Sequence, residues 1–309
     1  MLLNPTLPAS LSGAEVLSGP PLTVLRIPAL SDNYVWLLRT HEGGADGQGV
    51  VAVVDPAEAA PVQEALKAAA DARAGWPRGR LDFILNTHHH FDHVGGNLAL
   101  KKAFPGCKVV GPKADAARIP GLDVAVGDGD GGAGNGGTFS LAPGLDVVAI
   151  DTPGHTRGHI CLWIPAAKCL FTGDTVFALG CGRLFEGDAK TMWSSMLKLR
   201  DGEGVAHDQG KIPPDTAVFC AHEYTQSNAR FAAEVAEPGN EALQARRRQV
   251  DEARASGLAT VPFSWGEELA TNPFLRADKV GVREALGLGG EEEAHEVFKR
   301  VRAAKDSFR

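Results

Sequence analysis

The sequence predicts an α/β domain followed by a smaller helical region, and three observations carry that prediction. Short apolar, β-branched runs alternate with helical stretches from Leu22 to about Thr225. Four of those runs lead within a few residues to a histidine or aspartate: 81–86 to His88, 146–151 to His155, 169–171 to Asp174 and 216–221 to His222. After Thr225 the strand pattern gives way to helical periodicity. A chain of 309 residues accommodates one large domain and a smaller partner.

Residues 22–39 open with an apolar stretch, break at 28–33 and resume as Tyr34–Leu38, which predicts two strands or one bent strand. Val50–Val54 is a continuous apolar run ending at Asp55 and Pro56, and an Ala-rich stretch with helical character follows up to about Arg73. The run Leu81–Asn86 reads as a buried strand delivering the chain into Thr87–His93. Gly95–Phe104 looks helical, and Val109 and Val110 form a short strand. Asp128–Gly137 is a Gly-rich loop without a phosphate-cradling pattern, because no strand leads directly into it and no helix clearly follows. Further strands are expected at 146–151, 159–164, 169–171 and 216–221. Helices are expected at 228–236, at 241–255 behind a cap at Asn240, after a capping-box pattern at Ser264–Glu267, and at 291–306.

Composition narrows the function classes. Hydrophobic content of 44% with 22% charged residues is that of a folded protein. A formal charge of -7 argues against nucleic-acid binding through a broadly positive surface. Arg246, Arg247 and Arg248 are the most basic run, but with Glu241, Asp251 and Glu252 on the same helix they read as solvated surface. The five cysteines are odd in number and scattered, which reads as reduced thiols in a reducing compartment. No apolar run approaches the ~20 residues that span a bilayer. Residues 1–21 contain no Lys or Arg, so they are expected to be a poorly ordered extension of a cytoplasmic protein, with an organelle not excluded.

The chemistry concentrates at Thr87–His93. In an extended segment His88, His90 and Asp92 face one way, while the turn at Asp92 and His93 leads towards the helix near Gly95. Isolated histidines are mostly polar surface; four potential ligands in six positions at the end of a buried strand are not. Imidazole suits zinc, iron and similar ions, and a carboxylate supplies the charge and the bridge that hold two cations close together. His155 follows a Pro-Gly turn, and Asp174 follows Gly173 at a strand end. His159 reads as a core or supporting group. His222, like Asp174, is weak evidence alone.

Taken in order, these elements closely resemble the metallo-β-lactamase superfamily, and within it the hydroxyacylglutathione hydrolases, also called glyoxalase II. The narrowing rests on Ile27–Tyr34, Thr87–Asn97, Gly173–Phe177 with Gly180–Gly187, His222–Thr225, Glu237–Asn240 and Asn272–Arg276. The resemblance implies an αββα sandwich, two mixed sheets with helices outside, over residues 22–225, and a helical substrate-binding domain over 226–309. It implies two divalent metal ions, zinc first, with iron and manganese also compatible. His88, His90 and His155 would hold one and Asp92, His93 and His222 the other, with Asp174 bridging; His89 would point away.

The reaction so implied is hydrolysis of the thioester S-D-lactoylglutathione to glutathione and D-lactate by a metal-bridging hydroxide, in methylglyoxal detoxification, with Asp92 and Asp174 orienting it. The partner is a small glutathione thioester, and no nucleic acid, membrane or second subunit is expected. On the last helix Val297, Val301, Ala304 and Phe308 form an apolar stripe with Arg302 and Lys305 on its flank. Periodicity alone would leave that pair solvated; the resemblance assigns Arg302 and Lys305 to the glutathione carboxylates, with Arg183 in place of a family Lys and Tyr224 as further contacts. Phe185 stands where relatives carry Tyr, which removes a hydroxyl contact. The competing reading is a glutathione persulfide dioxygenase with one iron, and the C-terminal helices with Arg302 and Lys305 tilt the balance to the hydrolase. A lactamase or a nuclease ranks lower, because no extra basic or processing domain is present and the glutathione-site residues would go unexplained; a decayed scaffold ranks lowest, because all seven ligand positions are filled.

Overall fold

The computed structural model describes residues 2–3, 16–19, 21–44, 47–71, 76–127, 137–202 and 211–308. The chain divides into two compact units, the first comprising Met1–Asp151 with Gly158–Gly173, the second Thr152–Arg157 with Asp174–Arg309. Residues 128–136 of the Gly-rich stretch lie outside the described residues.

The first unit holds β1 (Leu2–Leu3), β2 (Val16–Gly19), β3 (Leu22–Ala29), β4 (Asn33–Thr40), β5 (Val51–Val54), α1 (Ala59–Asp71), β6 (Phe83–Leu85), α2 (Phe91–Val94), α3 (Asn97–Ala103), β7 (Lys108–Pro112) and β8 (Leu122–Val126). Their eight strands form one sheet in sequence order, antiparallel from β1 to β5 and parallel from β5 to β8. Of the extension expected over 1–21, the described residues are these two short strands, β1 and β2. The break at 28–33 is a hairpin turn, so two strands form, with Ala29 facing Asn33.

Four more strands, β9 (Thr138–Ala142), β10 (Leu145–Asp151), β11 (Ile160–Ile164) and β12 (Cys169–Gly173), run antiparallel to their neighbours in that order. Every residue of β5, β11 and β12 is buried, which is why these strands read as unbroken apolar runs: both faces are covered. On one face of the eight-stranded sheet, Leu25, Ile27, Leu37, Val51, Val53, Ile84 and Val109 share a core with Val62, Ala65, Leu66 and Ala69 of α1. Those four lie at helical spacing, and each fully buried Val or Leu contributes about 1.5–3 kcal/mol. The helix expected from Gly95 starts two residues later, because the Gly96 amide donates to Pro56 O at 2.8 Å instead of entering the helix.

The second unit contains the hairpin β13 (Val176–Phe177) and β14 (Gly180–Cys181), then α4 (Ala189–Asp201) and β15 (Ala217–Cys220). After these come α5 (Thr225–Phe231), α6 (Glu241–Ala255), β16 (Phe263–Ser264), α7 (Trp265–Thr271), α8 (Val280–Ala285) and α9 (Ala294–Ser307). α5 runs on as a π-turn over Ala232–Ala236. Residues 174–225 belong to the same compact unit as the C-terminal helices, with Trp193 of α4 against Phe298 of α9 at 6.1 Å between centroids.

Of three local expectations, one holds and two change. Asn240 caps α6 as expected, accepting from the Leu243 amide at 3.1 Å. Ser264 does not complete a capping box: its hydroxyl donates to Pro214 O. Arg246 is not solvated surface but buried, bonded to Glu268 and, at 2.7 Å, to Thr271 Oγ1. Its helix turns that one arginine of three inward, where a carboxylate compensates its charge.

Five buried cysteines include Cys107 and Cys169, whose thiols burial pushes up to about 12, and Cys181, pushed up to about 11. They are inert in that state. Among the described residues no helix is long and apolar enough to cross a membrane.

Candidate metal centre and substrate cavity

In the first unit the parallel strand β6 ends at Leu85 and hands the chain to Thr87–His93. The loop is clamped at both ends by Asn86, whose amide donates to His93 O at 3.0 Å and whose oxygen accepts from Asn97 at 2.8 Å. The residue that organises it is Asp55, directly after β5. One carboxylate oxygen accepts from the Thr87 amide at 2.8 Å; the other accepts from the Thr87 hydroxyl at 2.7 Å and from His93 Nδ1 at 3.0 Å.

These bonds decide two tautomers. His93 carries its proton on Nδ1, so its Nε2 presents a lone pair, 3.4 Å from Asp92 Oδ2. The Thr87 hydroxyl donates its one hydrogen to Asp55, so at 3.0 Å it accepts from His88 Nδ1, which leaves a second lone pair on His88 Nε2, 3.1 Å from His90 Nδ1. Asp92 is oriented by Asn33, which donates to its Oδ2 at 3.0 Å.

His89 turns away as expected: its Nδ1 donates to Asp115 at 2.8 Å and its Nε2 accepts from Arg118 at 3.1 Å. His159 is buried with its ring 4.9 Å from that of His88, a supporting role. Gly173, with φ of 46°, is required here, since a Cβ would lie 2.4 Å from Thr87 Oγ1 and 2.8 Å from His159 Nε2.

The second unit supplies three donors. His155 Nδ1 donates to Arg183 O at 2.8 Å, which again puts the lone pair on Nε2, 3.4 Å from Asp174 Oδ2. His222 Nε2 lies 3.4 Å from Asp174 Oδ1. One carboxylate thus turns one oxygen to each of two imidazoles, the disposition that a bridging ligand needs. Gly182 makes room for it, because a Cβ there would stand 2.0 Å from Asp174 O and 2.9 Å from His155 Nδ1.

His155 and Asp174 also line a cavity of about 490 Å³ within this unit, together with Arg183, Phe185, Tyr224, Arg302 and Lys305. All five residues expected to contact substrate therefore line one space. Tyr224 stacks on His222 at 4.8 Å with parallel rings, and Phe185 meets His155 edge-on at 5.2 Å. Arg302 is not on a solvated flank: it is buried, donating to Cys181 O at 2.8 Å and to Asp306 at 2.9 Å, over the Phe274 ring. Its fork finds fixed acceptors, which offsets desolvation. Lys305 donates to Ser227 Oγ at 2.8 Å. Burial above all, with Arg302 and Arg230 nearby, pushes its ammonium down to about 8 against the opposing charge of Asp306. Arg183 is exposed, 3.7 Å from Asp306.

Residues 31–222 match the metallo-β-lactamase superfamily, and residues 223–308 match the hydroxyacylglutathione hydrolase C-terminus. A hydroxyacylglutathione hydrolase of Methylococcus capsulatus is 52% identical over 288 residues, covering 93% of this chain and 99% of that protein. The chain belongs to the hydroxyacylglutathione hydrolase family.

Other hydroxyacylglutathione hydrolases, from Rhodospirillum rubrum and Ruegeria pomeroyi, are each 45% identical over 93% of this chain and 99% and 100% of their own. The family places the chain among the hydrolases of the metallo-β-lactamase superfamily. Among solved structures, a metallo-β-lactamase from Staphylococcus aureus aligns with a TM-score of 0.55 at 14% identity over 91% of this chain and 73% of that one. The B3 metallo-β-lactamase BLEG-1 aligns at 0.50 and 18% identity over 81% and 98%. These likenesses show the metallo-β-lactamase fold, the αββα arrangement expected from the sequence. The match of the C-terminal region to the hydrolase favours that branch over the dioxygenase. Family membership and the His and Asp donor set support binding of divalent metal.

Sequence reasoning missed Asp55, which it read only as the end of a strand. A carboxylate directly after a buried apolar run, before proline, was the available signal. Asn33 lay inside the Ile27–Tyr34 stretch that carries the resemblance, with no role of its own assigned.

Proposed function

We propose that this hydrolase cleaves S-D-lactoylglutathione and related 2-hydroxyacylglutathiones to glutathione and the free 2-hydroxy acid, in methylglyoxal detoxification, as a cytoplasmic monomer without nucleic-acid or membrane partners. The observation that carries the reading is the cavity that joins His155 and Asp174 to Arg302, Lys305 and Arg183. A substrate with a scissile thioester at one end and carboxylates at the other satisfies both parts.

Two divalent cations fit the donor set, zinc first, with iron and manganese compatible. His88, His90 and His155 would hold one, and Asp92, His93 and His222 the other, with Asp174 shared. The fit rests on the chain's own hydrogen bonds, which leave Nε2 of His88, His93 and His155 as lone pairs. When bound, the cations supply an acidified water and polarise a carbonyl.

Asp92 and Asp174 accept hydrogen bonds from the attacking water and orient its lone pair. Arg302, Lys305 and Arg183 hold glutathione's carboxylates and fix the thioester carbon, while Tyr224 and Phe185 wall the cavity around the chain between them. Water oxygen bonds to the carbonyl carbon, the C–S bond breaks, and sulfur departs as thiolate, which takes up one of the water's protons while the carboxylic acid formed loses the other to solvent. A thiol with a pKa of about 8.5 leaves without a strong general acid.

The test is a thioesterase assay on S-D-lactoylglutathione with elemental analysis of the purified protein. Turnover with two metals per chain is expected. Oxygen consumption on glutathione persulfide with a single iron per chain would replace the reading with the dioxygenase.

A further inference from the structure

The hairpin β13–β14 has a tip held almost entirely by side chains from elsewhere in its unit. Asn272 donates to Phe177 O at 3.2 Å and to Gly180 O at 3.0 Å; Asn228 donates to Ala178 O at 3.1 Å. The Leu179 amide donates to Glu268 Oε2 at 3.0 Å, with Leu179 in the left-handed region at φ of 58°. Glu268 Oε2 also accepts from Asn272 at 2.8 Å, and its Oε1 accepts from Arg246. Glu268 and Asn272 are fully buried. Such a network is strong when every member is satisfied and costly when one is not.

What the hairpin carries explains the investment. The Phe177 ring stands edge-on to Tyr224 at 5.5 Å and to His222 at 5.7 Å. The Cys181 carbonyl is the acceptor that fixes Arg302. A tip displaced by a few tenths of an ångström shifts both the aromatic wall and the guanidinium of the cavity.

We propose that Glu268 is a positioning residue for glutathione binding, acting through Asn272 and the Leu179 amide to hold the 176–181 hairpin against Tyr224 and Arg302. This rests on the assignment of the cavity to glutathione. Glu268 touches no substrate. Its two oxygens meet only donors, Arg246 on one side and Leu179 and Asn272 on the other. In Glu268→Gln the amide oxygen stays with the Arg246 cation, so the NH₂ faces the Leu179 and Asn272 donors and pushes the tip away.

The experiment compares wild type and Glu268→Gln on S-D-lactoylglutathione and on the lactoyl thioester of N-acetylcysteamine, which lacks glutathione's carboxylates. Wild type should prefer the glutathione thioester; if it does not, the assignment of the cavity fails rather than the role of Glu268. With that preference present, Glu268→Gln is expected to raise KM for the glutathione thioester about fivefold or more, keep kcat within about twofold, and leave the small thioester unaffected. An unchanged KM, or equal losses on both substrates, would overturn the proposal. Should Glu268→Gln not fold, Glu268→Asp keeps a carboxylate beside Arg246 but is one methylene too short to hold the Leu179 amide as well. The same selective rise in KM then supports the role, and an unchanged KM overturns it.

Discussion

Raising the pH from 7 to 9 is expected to weaken the enzyme on its glutathione substrate through Lys305. Burial and the neighbouring guanidinium groups hold this ammonium at about 8. A pKa lowered to that value leaves about nine-tenths of the enzyme with a charged Lys305 at pH 7 and about one-tenth at pH 9. Only the charged form pairs with a substrate carboxylate, so kcat/KM, which reports the free enzyme, should fall about tenfold across that interval. A charge-assisted link is worth about 1.5–3 kcal/mol, so Lys305→Ala should lower kcat/KM about 10- to 100-fold at pH 7. Lys305→Arg stays charged throughout and should flatten the alkaline limb. Initial rates from pH 6.5 to 9.5 under subsaturating substrate provide the assay. A flat wild-type profile, or a limb that persists in Lys305→Arg, refutes the reasoning.

Asp174→Ala should abolish hydrolysis and lower metal content, and intact turnover in a metal-poor variant would contradict its role. Asp55→Asn keeps the shape but disturbs the bonds that set the His88 and His93 tautomers; chelator competition should show metal affinity about 10- to 100-fold weaker. His89→Ala, whose ring is engaged with Asp115 and Arg118, should leave kcat and metal content near wild type while lowering thermal stability modestly. Phe185→Tyr adds a hydroxyl to the cavity wall and is expected to lower KM for the glutathione thioester a few-fold, with kcat unchanged.

The seven ligand candidates stood out in the sequence because each comes shortly after a short, largely buried strand. The β-strands 22–29 and 51–54 were equally plain, since their apolar runs answer to local burial. Helix α4 was overlooked, although Asp188 at its N-cap, Met192, Met196 and Leu199 at helical spacing and Gly202 in the left-handed region at its end all mark it. Its Thr and Ser residues dilute the pattern.

Arg246 was misread for a different reason, and periodicity alone would have left Arg302 solvated as well. Local periodicity gives an arginine's angular position on a helix but not the acceptor waiting across the fold, here Glu268 and Cys181 O. Asp55 stayed hidden likewise: its partners Thr87 and His93 lie more than thirty residues away in the chain.

The interleaved division of the chain bears on the order in which the protein is made. Residues 158–173 complete the unit that holds His88, His90, Asp92 and His93, while 136 residues of the other unit are still to come. At a synthesis rate of about 5–20 residues per second, that is an interval of about 7–27 s. His155, already synthesised, is followed at once by Asp174, but the final helix of their unit comes only at the end of that interval. During translation the first unit, with His88, His90, Asp92 and His93, is therefore complete before most of the second unit has been made.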